Sequence, residues 1–129
     1  MQTLQKKITV TKADLDQLNH VNNVRYVQWV QDIAEAHWLQ NASEKLLDDY
    51  YWVLVKHTID YKCQAHLGDT LLIKTFVESA EGVTSVRKVE IYNQTSNKLI
   101  ITSETKWCLI NTETNRPTRI TEEIGYLFN

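Results

Sequence analysis

The stretch Val24 to Gln40 constrains this chain more than any other. Val27, Val30, Ile33, Ala34 and His37 recur at helical spacing, and Tyr26, Trp29 and Trp38 widen the apolar sector. A sector that wide belongs to a helix wrapped on several sides, not to one lying on a surface. The remainder of the chain must do the wrapping. From Tyr51 the period changes to two and stays there almost to the end of the chain. The spacing predicts strands over Tyr51–Cys63, Thr70–Ser79, Val83–Asn93 and Lys98–Ile110, with turns at Leu67-Gly68-Asp69, Ala80–Gly82 and Gln94–Asn97 and a loop over Asn111–Pro117. In the first of these strands Val53, Val55, His57, Ile59, Tyr61 and Cys63 share one face, with Trp52 and Leu54 apolar exceptions on the other. A further strand, Gln5 to Lys12, precedes the helix. A short second helix, Glu44 to Asp49, has Ser43 as its cap, and Thr121 to Phe128 makes a final helical turn. Alternating βα units are absent, so the fold class is α+β with an antiparallel sheet. Strands of about ten residues exceed the usual ~5–6 and must curl, and the apolar helix is what they can curl around. Such a sheet exposes an edge, which invites pairing with a second copy.

The bulk numbers fit one domain over residues 1–129, since the chain is too short for two comfortable ones. At 43% hydrophobic and 23% charged residues it falls among globular proteins and away from disordered ones. Net charge is −2 with no basic block, which argues against nucleic acid or an anionic membrane as partner. No apolar run approaches the ~20 residues of a membrane span, and Met1 to Val10 lacks the apolar core of a secretory signal. The two cysteines, Cys63 and Cys108, fall in predicted strands without a CxxC pair. They read as buried thiols in a reducing cytoplasm. Cys63 and His66 have no second ligand pair at finger-like spacing, so no metal site is expected.

The chemistry concentrates in Asp14-Leu15-Asp16-Gln17-Leu18-Asn19-His20-Val21-Asn22-Asn23. This carboxylate-rich loop runs into the helix start, where Asn22 or Asn23 is the cap and backbone donors are free. A base or nucleophile beside a ready polariser of a carbonyl oxygen is what hydrolysis of an activated acyl group needs.

The segment Asp14 to Tyr26 resembles the motif D-x-D-x-x-x-H-V-N-N-x-x-Y of the hotdog-fold acyl thioesterases. Tyr61–Asp69 resembles that superfamily's strand, turn and Gly-Asp entry to the next strand. Thr105–Asn111 with Arg116-Pro117 resembles its last strand and exit. The resemblance covers nearly the whole chain and is strongest to the 4-hydroxybenzoyl-CoA and acyl-ACP thioesterase-like branches. It implies a hotdog fold, a long curved sheet around one central helix. It also implies hydrolysis of acyl-CoA or acyl-ACP without metal or cofactor, and a homodimer or dimer of dimers. On the matching positions Asp16 is the catalytic carboxylate, as base or nucleophile, the N–H near Asn23 is the oxyanion donor, and His20 assists. Asn22 and Tyr26 line the substrate site, and Arg87 and Lys88 fit a basic region that meets the phosphates of coenzyme A. The chain has Leu18 where the plant acyl-ACP enzymes place an Asn, with Asn19 one position later. Asp32 and Glu35 are the acids available on the helix, and His57 reads as an interior histidine. Two rival functions are a non-catalytic acyl-thioester binding module and a hotdog hydroxyacyl dehydratase. The dehydratase's His-Pro-type loop is missing, because Pro117 is the only proline.

Overall fold

A computed structural model describes residues 2–129; Met1 lies outside the described residues. The elements run β1 (Thr3–Thr9), α1 (Asn23–Asn41), α2 (Glu44–Asp49), β2 (Tyr50–Tyr61), β3 (Thr70–Glu81), β4 (Thr84–Asn93), β5 (Leu99–Asn111), β6 (Arg116–Pro117) and α3 (Glu122–Tyr126). Five strands form one antiparallel sheet in the order β1-β3-β4-β5-β2, and the short β6 pairs with β5. The sheet curves around α1, which buries Tyr26, Trp29, Val30, Ile33, Ala34 and His37. The main core forms where that face meets Leu71, Ile73, Val89, Ile91, Ile100 and Ile101. A smaller cluster gathers Leu46, Leu109 and Ile124, with Trp38 and Trp52 packed on it.

The local chemistry explains the boundaries. Asn22 caps α1, its Oδ1 accepting from the Val24 N–H at 3.1 Å, and Ser43 and Thr121 cap α2 and α3 in the same way. Gly82 takes a φ of 63°, the left-handed value needed in the tight turn that returns Glu81 to Thr84.

Three sequence expectations change. A bulge in β2 between Leu54 and Lys56 makes Val55 an extra residue. It reverses the side-chain phase, so Trp52 and Leu54 share the inner face with His57 and Ile59, while Val53 turns outward. β2 ends at Tyr61, which leaves Cys63 exposed in a bend and not buried in a strand. The stretch expected as loop from Asn111 to Pro117 contains β6. No helix among the described residues is long and apolar enough to cross a membrane.

Candidate active site

The loop before α1 is a miniature hairpin. Leu15 and Val21 bridge across it, the Asp16 N–H donates to the His20 carbonyl at 2.8 Å, and the Asn19 N–H donates to the Asp16 carbonyl at 3.1 Å. Asn19 occupies the turn with a φ of 60°, a conformation Asn tolerates better than most side chains. Below it, the Val21 N–H donates to the Ala65 carbonyl, which ties the loop to the segment after β2.

Asp14 anchors this hairpin and is buried. Its Oδ2 accepts from the Thr11 N–H at 2.8 Å, its Oδ1 pairs with Arg25 Nε at 2.9 Å, and its carbonyl accepts from the Asn22 N–H. Both carboxylate oxygens are therefore committed to structure. Asp14→Ala strands the Thr11 N–H and frees half-exposed Arg25. We expect a loss of ~1–3 kcal/mol in stability, read by chemical denaturation.

Asp16 is built differently. Its Oδ1 accepts from the Leu18 N–H at 2.8 Å and from the His20 N–H at 3.2 Å, an Asx-turn arrangement. Its Oδ2 makes no hydrogen bond among the described residues. One oxygen thus fixes the carboxylate and the other faces solvent, for Asp16 is exposed in the single chain. The hairpin brings Asp16 and His20 together and hands the chain to Asn22 and Asn23. The Asn23 N–H, first in α1, has no acceptor among the described residues. That free donor carries the positive end of the helix dipole.

The His20 ring makes no contact with the Asp16 carboxylate. It meets the His66 ring edge-on at a centroid distance of 5.6 Å, and the backbone N–H of His66 donates to Asp69 Oδ2 at 2.9 Å. His66 is a neighbour of the loop, a role its sequence position beside Cys63 does not suggest. Tyr26 is buried under the loop, 6.0 Å from Tyr61 and 5.6 Å from Trp29 between ring centroids. Its hydroxyl lies by the Ala65 backbone without a partner in good hydrogen-bond geometry, and burial pushes its pKa up to about 12. It is a neutral wall at neutral pH.

Arg87 and Lys88 part company because successive strand residues point to opposite faces. Lys88 is on the outer face, 2.9 Å from Glu104 and 3.8 Å from Glu78, and its hydrogen bond to Glu104 raises its pKa. Arg87 is buried beneath α1. The helix acids lie apart from the loop. Exposed Asp32 accepts from Gln28 Nε2 at 2.7 Å, and Glu35 stands at the rim of a cavity of about 380 Å³ between α1 and the sheet. No loop residue lines that cavity. His57 faces inward, within 2.7 Å of Ser103 Oγ, and burial lowers its pKa. No cluster of potential metal ligands occurs among the described residues.

The comparison that decides the family runs along almost the full chain: residues 2–128 match the acyl-ACP thioesterase N-terminal domain. The chain belongs to this thioesterase family. YneP of Bacillus subtilis (strain 168), named as a candidate acyl-CoA thioesterase, is 26% identical over 122 residues, covering 91% of this chain and 86% of YneP. Among solved structures, a 4-hydroxybenzoyl-CoA thioesterase variant in complex with 4-hydroxybenzoyl-CoA superposes with a TM-score of 0.89 at 11% identity, covering all of both chains. Slr0204 of Synechocystis, a 1,4-dihydroxy-2-naphthoyl-CoA thioesterase, gives 0.80 at 21% identity over 94% of this chain and 91% of its own. At those identities the structures establish the shared hotdog fold.

Proposed function

We propose that this member of the family hydrolyses an acyl thioester, carried by coenzyme A or an acyl carrier protein, to a carboxylic acid and a free thiol. Asp16 Oδ2 either attacks the thioester carbonyl, giving a mixed anhydride that water then hydrolyses to free the acid and restore Asp16, or takes a proton from the water that attacks that carbonyl. The Asn23 N–H receives the oxyanion, whose collapse breaks the C–S bond, and the departing thiolate takes up the proton released from water. Donors aimed at a developing oxyanion contribute up to ~2.7–4 kcal/mol of transition-state stabilisation. The observation that carries this reading is that one short loop holds a fixed carboxylate with one free oxygen and leads directly into the unpartnered first N–H of α1. His20 holds Asp16 through its backbone, and its ring and that of His66 border the site. Asn22 caps the donor helix, Tyr26 supports the site from below, and of Arg87 and Lys88 only Lys88, now paired with Glu104, stands on the surface where coenzyme A phosphates could replace that partner.

We further propose that the working unit is residues 1–129 as one hotdog domain, self-associated as a homodimer or dimer of dimers. β2 is an edge strand, bonded only to β5, and it exposes Tyr51, Val53 and Val55. Leu18 at 73% and Val24 at 69% exposure flank the Asp16 loop. Apolar groups that open beside a polar site fit a surface another protomer covers. A partner over this loop also supplies the enclosing wall that Asp16 lacks in the single chain.

The test is release of thiol from a panel of acyl-CoA esters, followed with a thiol-reactive dye. Turnover of at least one ester is expected. Saturable binding with no thiol released from any ester or from acyl carrier protein marks a binding module and overturns the hydrolase reading.

A further inference from the structure

The inner face of the sheet changes character along its strands. Under the first half of α1, Ile73, Ile91 and Ile101 lie side by side. Two rungs further, Val77, Arg87, Thr105 and His57 form a row. Along β4, a guanidinium therefore sits on the same buried face as Val89 and Ile91.

Its surroundings hold it without neutralising it. Arg87 Nη1 donates to Thr75 Oγ1 at 3.1 Å and to His37 Nδ1 at 2.8 Å. An arginine only donates, so His37 Nδ1 is an acceptor and its Nε2–H donates to Gln2 Oε1 at 3.0 Å. Burial, with Arg87 second, lowers the His37 pKa to about 4, so the ring adds no charge at neutral pH. The guanidinium also lies 5.3 Å from the Phe128 ring centre. No carboxylate is within ion-pair distance of Arg87 among the described residues. Glu35, the acid nearest in the cavity lining, is exposed at the rim. Burial lowers the Arg87 pKa to about 10, which leaves it a cation at neutral pH. A buried cation without a counter-charge is costly to keep.

The free donors face a space. Arg87 Nε and Nη2 make no hydrogen bond among the described residues, and Arg87 lines the cavity of about 380 Å³. Trp38, Trp52, Trp107, Phe128 and Ala34 supply its apolar walls. This volume is in the range of small-molecule pockets. The chemistry is divided: an apolar sleeve for a hydrocarbon and, at its buried end, a fork of donors that matches a carboxylate.

We propose that this cavity takes the acyl group, and that Arg87 binds a carboxylate at the end of that group remote from the thioester. The inference rests on the thioesterase reading for its substrate and goes beyond it in naming a class: acyl groups of dicarboxylic acids, joined to the thiol through one carboxyl only. Arg87 contacts substrate but not the reacting carbonyl.

The experiment separates this claim from the catalytic one by reading binding. Asp16→Asn protein is titrated calorimetrically with matched pairs of esters: hexanoyl- and adipoyl-CoA, octanoyl- and suberoyl-CoA, decanoyl- and sebacoyl-CoA. Within each pair a methyl is exchanged for a terminal carboxylate. At the best-fitting length the carboxylate ester binds ~10–100-fold tighter, the gain of a charged hydrogen-bonded contact. Arg87→Met, checked for folding by circular dichroism, removes that preference, and Arg87→Lys keeps part of it. Equal binding within every pair, or tighter binding of the plain esters, overturns the proposal without reference to any variant. A preference that survives in folded Arg87→Met overturns it as well. Failure of the unmodified protein to release thiol from any ester defeats the hydrolase reading, while the binding preference still decides this one.

Discussion

Asp16→Asn lowers kcat by about a hundred-fold or more, the lower end of what a positioned base supplies. The size of the effect comes from the division of labour between the two carboxylate oxygens. Oδ1 accepts from the Leu18 and His20 amides, and an asparagine oxygen accepts from them equally well. The hairpin, the Leu15–Val21 bridge and the start of α1 therefore persist in the variant. What disappears is the charge on Oδ2, together with its capacity to attack a carbonyl or accept a proton. Asp16→Ala removes the turn contacts too, so it combines the chemical loss with disorder of the loop. Steady-state thiol release on the best acyl-CoA reads both. An Asp16→Asn kcat equal to that of the unmodified protein on a good substrate removes Asp16 from the mechanism.

The second large effect concerns assembly. Val53→Lys combined with Val55→Lys places charge along the exposed edge of β2, a device that keeps natural sheet edges from pairing. Sedimentation equilibrium is expected to find the unmodified protein at a multiple of its 15.1 kDa chain mass and the double variant at the chain mass itself. Activity falls with dissociation, because Asp16 in the lone chain faces solvent between exposed Leu18 and Val24. Both positions are exposed and Val55 is a bulge residue, so the fold of the protomer tolerates the change. Retention of full activity by a monomer shows instead that one chain completes the site.

Much of this architecture is legible in the sequence for identifiable reasons. The helix is marked by its apolar period and by an Asn at its start, and Asn22 does cap it. The strand order in the chain is set out by the period of two and by turn residues such as Gly68 and Gly82, both at positive φ. The bulge at Val55 is hidden because Val53, Val55 and His57 alternate without a break. Only the pairing with β5 shows that the phase reverses. Cys63 continues an apparent strand, and the end of β2 at Tyr61 is set by tertiary structure.

The site divides in the same way. The loop from Asp14 to Asn23 is a local structure, and its residues read correctly as a turn running into a capped helix. The separate duties of Asp14 and Asp16 are not local: they depend on Arg25 and Thr11 in one case and on the amides of Leu18 and His20 in the other. Arg87 illustrates the opposite error. A charged residue in an alternating strand reads as solvated, yet Arg87 shares parity with Val89 and Ile91, which are buried. That parity is visible in the sequence. The cavity that gives it meaning is not, since it forms between α1, the first residues of β2 and the chain end at Phe128.

A crystal structure of Asp16→Asn protein soaked with an acyl-CoA that the unmodified protein hydrolyses tests the central claim most directly. The account predicts the thioester carbonyl oxygen at ~2.7–3.1 Å from the Asn23 amide nitrogen, with either the residue 16 side chain or a water hydrogen-bonded to it ~3–3.5 Å from the carbonyl carbon. A thioester bound elsewhere, with the first amide of α1 still open to water, contradicts it.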